Sequence, residues 1–265
     1  MKVEFNEFIA IGDLAGRYEE FLELINEFPT DLPIVLLGDI NDRGKDTNKL
    51  IQYCIDNSDR IYAVQSNHGH MMVDWYERKY CYEFSLYYLH NGGPDTLRSY
   101  GYSYNYENKA FLLSNDNSTS GRPINSEEMK LIELEYDIAR KLIPKQHIEY
   151  LKNLPMYIEG ESWIATHCPI NPTLPLEEKL IGDHMFDRDV HFIWNRGKAR
   201  RRDKFQLHGH NANTSHLELK DKDGIYGLNM DSSRGNILSA VYMKDGKIIE
   251  IKSVEYKDSI NENNC

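Results

Sequence analysis

The 265-residue sequence contains no apolar run approaching the roughly 18 residues that cross a bilayer, which excludes a transmembrane helix. Its opening, Met1-Lys2-Val3-Glu4, lacks the apolar stretch of a secretory signal, so a cytoplasmic, membrane-free protein is expected. Cysteine is scarce: Cys54, Cys81, Cys168 and Cys265 lie far apart with no CxxC pair. That spacing argues against a disulfide framework and a thiolate zinc site, and any metal is expected on other ligands. Positive charge is also short, 31 Lys and Arg against 42 Asp and Glu, for a net charge of -11. A coat on nucleic acid or anionic lipid is therefore disfavoured, because such binding rests on neutralising phosphates. No repeat and no Gly/Pro-rich linker interrupts the chain, and residues 1–265 are expected to form one domain.

What is present is an alternation of strand and helix through the first 70 residues. An apolar run from Phe5 to Leu14 precedes a helix whose Tyr18, Phe21, Leu22, Ile25 and Phe28 share one stripe, ended by Pro29 and Pro33. Strands at Ile34 to Leu37 and Ile61 to Val64 bracket a helix carrying Leu50, Ile51, Cys54 and Ile55, a pattern that predicts a largely parallel sheet. Residues from about 72 to 155 read as a helical insertion, rich in tyrosine, with an irregular stretch at 103–123 and a helix opening at Ser126-Glu127-Glu128. Strands return at Trp163 to Thr166, Phe205 to Leu207 and Ile225 to Asp231. A final hairpin around Val241 and Ile248 is closed by Asp245-Gly246, a type I′ turn signal, and the last ten residues are expected to fray.

Five residues of metal-ligand type stand at the carboxyl ends of five strands: Asp13, Asp39, Asn67, His167 and His210. Any one alone reads as a turn former or a core histidine. Together they converge where an open α/β sheet binds its ligands. Carboxylate and amide oxygens mixed with imidazoles suit manganese, iron or zinc better than a purely oxygen-seeking ion.

These strand ends also carry a recognisable order: Gly12-Asp13-Leu14-Ala15-Gly16, Gly38-Asp39-Ile40-Asn41-Asp42-Arg43-Gly44, Ser66-Asn67-His68, Thr166-His167 and Gly209-His210. The set resembles the calcineurin-like metallophosphoesterase signature, closest to the phosphoprotein phosphatase branch that includes bacterial and phage serine/threonine phosphatases and symmetrical dinucleoside tetraphosphatases. His90-Asn91-Gly92-Gly93-Pro94 and Ile193-Trp194-Asn195-Arg196 look like two further segments of that branch. The resemblance implies an α/β fold of two sheets in a sandwich flanked by helices, and two divalent ions, with manganese favoured and iron, zinc or nickel as alternatives. It places Asp39 as the bridging carboxylate, Asn67, His167 and His210 at the second ion, and Asp13 at the first. A metal-bound hydroxide would attack phosphorus directly. His68 would be the general acid, held protonated and oriented by Asp42, and Arg43 and Arg196 would grip the phosphoryl oxygens.

One position breaks the pattern. Ala15 stands where the family has a metal-binding histidine. Three readings remain open: a substitution introduced to disable hydrolysis, a natural non-catalytic phosphate binder, or compensation by His70 or His208, both otherwise expected to be non-ligands. Gly69 and Ser66 are milder departures beside Asn67-His68. The basic run 198–204 reads as a solvated loop or as a steering patch for multiply phosphorylated substrates, and the tyrosines of 80–106 as helix packing. The expected activity is hydrolysis of phosphate monoesters on a phosphoprotein or small molecule. A dinucleoside polyphosphate or nucleic-acid-end phosphohydrolase is the alternative.

Overall fold

The structure, a computed structural model, describes residues 1–77, 88–102, 136–170, 193–197 and 203–257. Two five-stranded sheets face each other. The first has the order β10-β9-β1-β2-β3, built from β1 (Glu7–Ile11), β2 (Ile34–Leu36), β3 (Ile61–Ala63), β9 (Ile237–Lys244) and β10 (Lys247–Glu255). The second has the order β4-β5-β6-β8-β7, from β4 (Tyr157–Glu159), β5 (Trp163–Thr166), β6 (Phe205–His208), β7 (Leu217–Asp221) and β8 (Gly224–Asn229).

Alternation along the strands builds the layers. Phe8 and Ala10 of β1 point into a core shared with Trp163, Ala165, Leu207 and Leu228 of the opposite sheet. Ile9 and Ile11 point the other way, onto the apolar stripes of α1 (Tyr18–Asn26) and α2 (Thr47–Asp56), through Phe21, Leu24, Leu50 and Ile51. The result is the α/β sandwich with helical flanks that the motifs implied. Three further helices are α3 (Asn67–Glu77), α4 (Gly93–Ser99) and α5 (Lys145–Lys152).

The expected parallel sheet is only partly present. β1, β2 and β3 pair in parallel, as do β5, β6 and β8, but β9, β10, β4 and β7 run antiparallel at or toward the edges. The returning strands close each sheet by hairpins, which need no crossover helix. β4 and β7 were not foreseen. Both are edge strands, too short or too exposed for a period of two to show in the sequence. The hairpin turn is as expected, with Asp245 at φ 50° and Gly246 at φ 70°.

Of the helical insertion, residues 136–142, α4 and α5 are helical. The helix start at Ser126, the irregular stretch 103–123, residues 80–87 and 103–106 of the tyrosine-rich segment, residues 198–202 of the basic run and residues 258–265 lie outside the described residues. Among the described residues, no helix is long and apolar enough to cross a membrane.

Candidate metal centre

The two sheets meet at their strand ends, and the backbone there is unusually bent. Ala15, Asp39, Asp42, Arg43 and His210 all have positive φ, between 42° and 73°. Non-glycine residues in that region are uncommon, and a cluster of them marks a site where geometry is over-determined by its surroundings. Glycine supplies the close approaches. A Cβ on Gly38 would lie 2.6 Å from His167 Nδ1, and one on Gly209 would lie 1.9 Å from Asp13 Oδ1.

Asp13, Asp39 and His167 offer ligand atoms that all lie within 4.8 Å of one another, and His167, Cys168 and His210 form a second such trio. Asn67 joins them: its Oδ1 is 2.7 Å from His167 Nε2 and 3.0 Å from His210 Nδ1. Each of these residues is buried. Cys168 was expected to play no part in a metal site, and the structure brings it beside the histidines. Burial, with Asp39 and Asp13 nearby, pushes its thiol well up, so it stays protonated here.

The donor set fits a divalent cation. His167 Nδ1 donates to the Leu37 carbonyl at 2.8 Å, which leaves Nε2 as a bare lone pair facing Asn67 Oδ1 and, at 3.4 Å, Asp39 Oδ1. Acceptors brought that close need a positive centre among them. His210 Nε2 is buried with no hydrogen-bond partner. Burial, then His167 and Arg196, push the His210 imidazole down to about 2, so it is a neutral ligand nitrogen. Burial likewise lowers His167 despite the pull of Asp39. Burial opposes ionisation of Asp39, yet His167, His68 and Arg43 hold its carboxyl well below the usual range. Asp13 behaves oppositely: burial, then the charges of Asp231 and Asp39, raise it well above the carboxylate norm. Crowded acids of this kind are relieved by a bound cation.

Beside the cluster, His68 Nδ1 lies 2.7 Å from Asp42 Oδ2. Asp42 is itself held by Thr96, whose hydroxyl donates to Oδ1 at 2.7 Å and accepts from the Asp42 N–H at 2.9 Å. Arg43 Nη2 reaches His68 Nε2 at 3.1 Å. The guanidinium and the imidazole edge therefore stand side by side at the mouth of the cluster. The Gly92-Gly93 segment supports the arginine, with Arg43 N donating to the Gly92 carbonyl at 3.4 Å. Arg196 Nη1 donates to the His210 carbonyl at 3.0 Å, and Trp194 sits edge-on to the His210 ring.

Ala15 is buried and donates its N–H to the Asp39 carbonyl at 2.6 Å, so its methyl group stands at the first-ion side with no ligand to offer. Neither suggested substitute is in place. His70 Nε2 pairs with Asp74 at 3.3 Å on α3. His208 and His210 do not share a strand face, because the chain turns at His210, φ 64°, and His208 Nδ1 donates to the Gly209 carbonyl instead. Sequence reasoning missed Asp231 as a site residue. It is buried at the end of β8, the same kind of position as Asp13 and Asp39, and that position was the available signal.

No family model matches the chain. Over 66 residues it is 33% identical to a zinc-dependent endopolyphosphatase from Saccharomyces cerevisiae, a stretch that covers 23% of this chain and only 20% of that protein. Among solved structures it is similar to a candidate diadenosine tetraphosphatase, with a TM-score of 0.62 at 16% identity over 98% of both chains. It is also similar to a protein serine/threonine phosphatase from Saccharomyces cerevisiae, TM-score 0.54 at 14% identity, over 98% of this chain and 85% of that one. A cold-active protein-tyrosine phosphatase from Shewanella gives a TM-score of 0.53 at 15% identity, covering 96% and 81%. These likenesses show that the chain has the calcineurin-like metallophosphoesterase fold.

Proposed function

We propose that this chain is built as a metal-dependent phosphatase, hydrolysing phosphate monoesters of a phosphoprotein or a small molecule in the cytoplasm. The observation that carries the reading is the His68–Asp42 pair at 2.7 Å, set against a buried cluster of Asp39, Asn67, His167 and His210. An acid–base imidazole beside a cation site is what phosphoester hydrolysis requires. Asp39, Asn67, His167 and His210 would hold one divalent ion, with manganese favoured, and Asp13 and Asp39 would contribute to a second. Ions bound there supply Lewis acidity toward phosphoryl oxygens and a nucleophile at neutral pH.

The protein's own groups do the rest. In the resting arrangement Arg43 Nη2 lies 3.1 Å from Nε2 of His68. An entering phosphoryl group offers the guanidinium anionic oxygens, a stronger match than a ring nitrogen. Arg43 then turns to the phosphate, and the vacated Nε2 takes up a proton from solvent water and passes it to the leaving oxygen as the P–O bond breaks. Asp42, locked by Thr96, keeps Nδ1–H oriented and stabilises the imidazolium as it forms.

The test is manganese-dependent hydrolysis of an aryl phosphate by this chain and by Ala15→His, prepared side by side. A gain of orders of magnitude on restoring the imidazole supports a working phosphatase disabled at one ligand. Inactivity of both, with dinucleoside polyphosphates also refused, leaves a non-catalytic phosphate binder.

A further inference from the structure

We infer that the cleft beside Arg196 binds the remaining phosphates of a short phosphoanhydride chain, with Arg234 as the residue that selects them. This rests on the phosphatase reading and takes its phosphoanhydride alternative in place of the monoester, since it assigns the group on the far side of the scissile phosphate. The cleft has a volume of about 470 Å³ and runs between the chain that follows β6 and the turn that follows β8. Arg196 lines it and donates to the His210 carbonyl at 3.0 Å, so one wall of the cleft is shared with the loop that carries a candidate ligand.

Charge and rigidity make it an anion site. Arg196, Arg234 and Lys220 line it against one carboxylate, Glu218, which is already paired with Lys220. Among the described residues that line it, two guanidiniums are therefore left without a carboxylate partner, in a chain of net charge -11. Arg234 is exposed and has no hydrogen-bond or ion-pair partner among the described residues. Its turn is nonetheless pinned. Asp231 Oδ1 accepts from the Ser233 N–H at 3.2 Å and from the Ser233 hydroxyl at 2.6 Å. Ser232 Oγ donates to the Ile237 carbonyl at 3.0 Å, and a Cβ on Gly235 would lie 1.9 Å from the Thr214 carbonyl oxygen of the opposing loop. The opposing wall is equally fixed, with Asn229 Nδ2 donating to the Asn211 carbonyl at 2.6 Å and the Asn213 N–H to that of Asp231 at 2.9 Å. A free guanidinium on a pre-organised turn loses little freedom on binding, and its planar fork suits phosphoryl oxygens.

Calorimetric titration of the full chain in magnesium buffer, with orthophosphate and then with tripolyphosphate, tests this. The expected result is tripolyphosphate binding about tenfold or more tightly than orthophosphate, the worth of one charge-assisted pair. Arg234→Ala should collapse that ratio toward one and Arg234→Lys should restore part of it. Equal affinities in the unaltered chain, or a ratio indifferent to Arg234→Ala in a protein of unchanged melting temperature, would overturn the assignment. Aryl phosphate turnover by Ala15→His separates the two readings. Turnover with a flat ratio removes the cleft alone, whereas an Arg234-dependent ratio without any turnover removes the phosphatase reading and keeps the cleft.

Discussion

The carboxylate of Asp13 accepts the backbone N–H of His210 through both oxygens, at 3.1 and 3.2 Å, across 197 residues of sequence. One residue follows β1 in the first sheet and the other follows β6 in the second, so this contact ties the two sheets at the candidate centre. It also aims the Asp13 charge at the two other buried acids, Asp39 and Asp231.

Asp13→Asn should therefore act in opposite directions with and without metal. In chelator, burial and the neighbouring acids keep the Asp13 proton bound in the folded state above its ordinary range. A raised carboxyl favours the fold when protonated, and that advantage is lost as pH rises through the elevated value. The metal-free protein should melt at progressively lower temperature over that rise, and Asp13→Asn should flatten the slope. In manganese the same variant should melt lower than the unaltered chain, because a ligand is gone. A variant that melts lower in both conditions would show that Asp13 is not under charge strain.

His208 gives a pH dependence of the other sign. Burial pushes its imidazole down to about 4. A depressed histidine contributes stability fully above the unfolded value near 6.5 and loses it as pH falls toward 4. The loss amounts to roughly 2–4 kcal/mol over that window. His208→Gln should flatten melting temperature between pH 6.5 and 4, measured by circular dichroism, and an unchanged slope would refute the assignment.

Thr96 is the support that Asp42 depends on. Thr96→Val removes a donor to Oδ1 and an acceptor for the buried Asp42 N–H. Leaving that N–H unpaired should cost about 1–3 kcal/mol in denaturant unfolding. In a catalytically restored background, kcat should fall more than KM, since Asp42 acts through His68 and not on bound substrate. A rise in KM with kcat unchanged would place Thr96 in binding instead.

Ala15→His should change metal stoichiometry. In the proposed arrangement Asp39, Asn67, His167 and His210 would hold one tight ion, and an imidazole at 15 would add a ligand on the Asp13 side. Histidine tolerates a positive φ better than most residues, so the 45° at Ala15 is no barrier. Elemental analysis after gel filtration should move from one to two ions per chain. Two ions in the unaltered protein would show that another residue, Asp231 foremost, already completes the first site.

Much of this was legible from residue order. The alternation Phe8-Ile9-Ala10-Ile11 announces a strand buried on both faces, and the stripe Phe21, Leu24, Ile25 announces the helix that covers it, because local period and burial are properties of the chain alone. The five strand-end residues Asp13, Asp39, Asn67, His167 and His210 and the departure at Ala15 were equally visible, since each sits at a strand end that hydrophobic pattern marks. Edge strands β4 and β7 were not, because a short or solvated strand takes its pairing from a neighbour and leaves no period of its own. Tertiary structure alone decided the rest. Only the meeting of two sheets places Asp231 beside Asp13, hangs Asp42 on Thr96, turns His208 away from His210 and leaves Arg234 facing Arg196 across a cleft. Those relations are distances between remote segments, and distance through space is not written in sequence spacing.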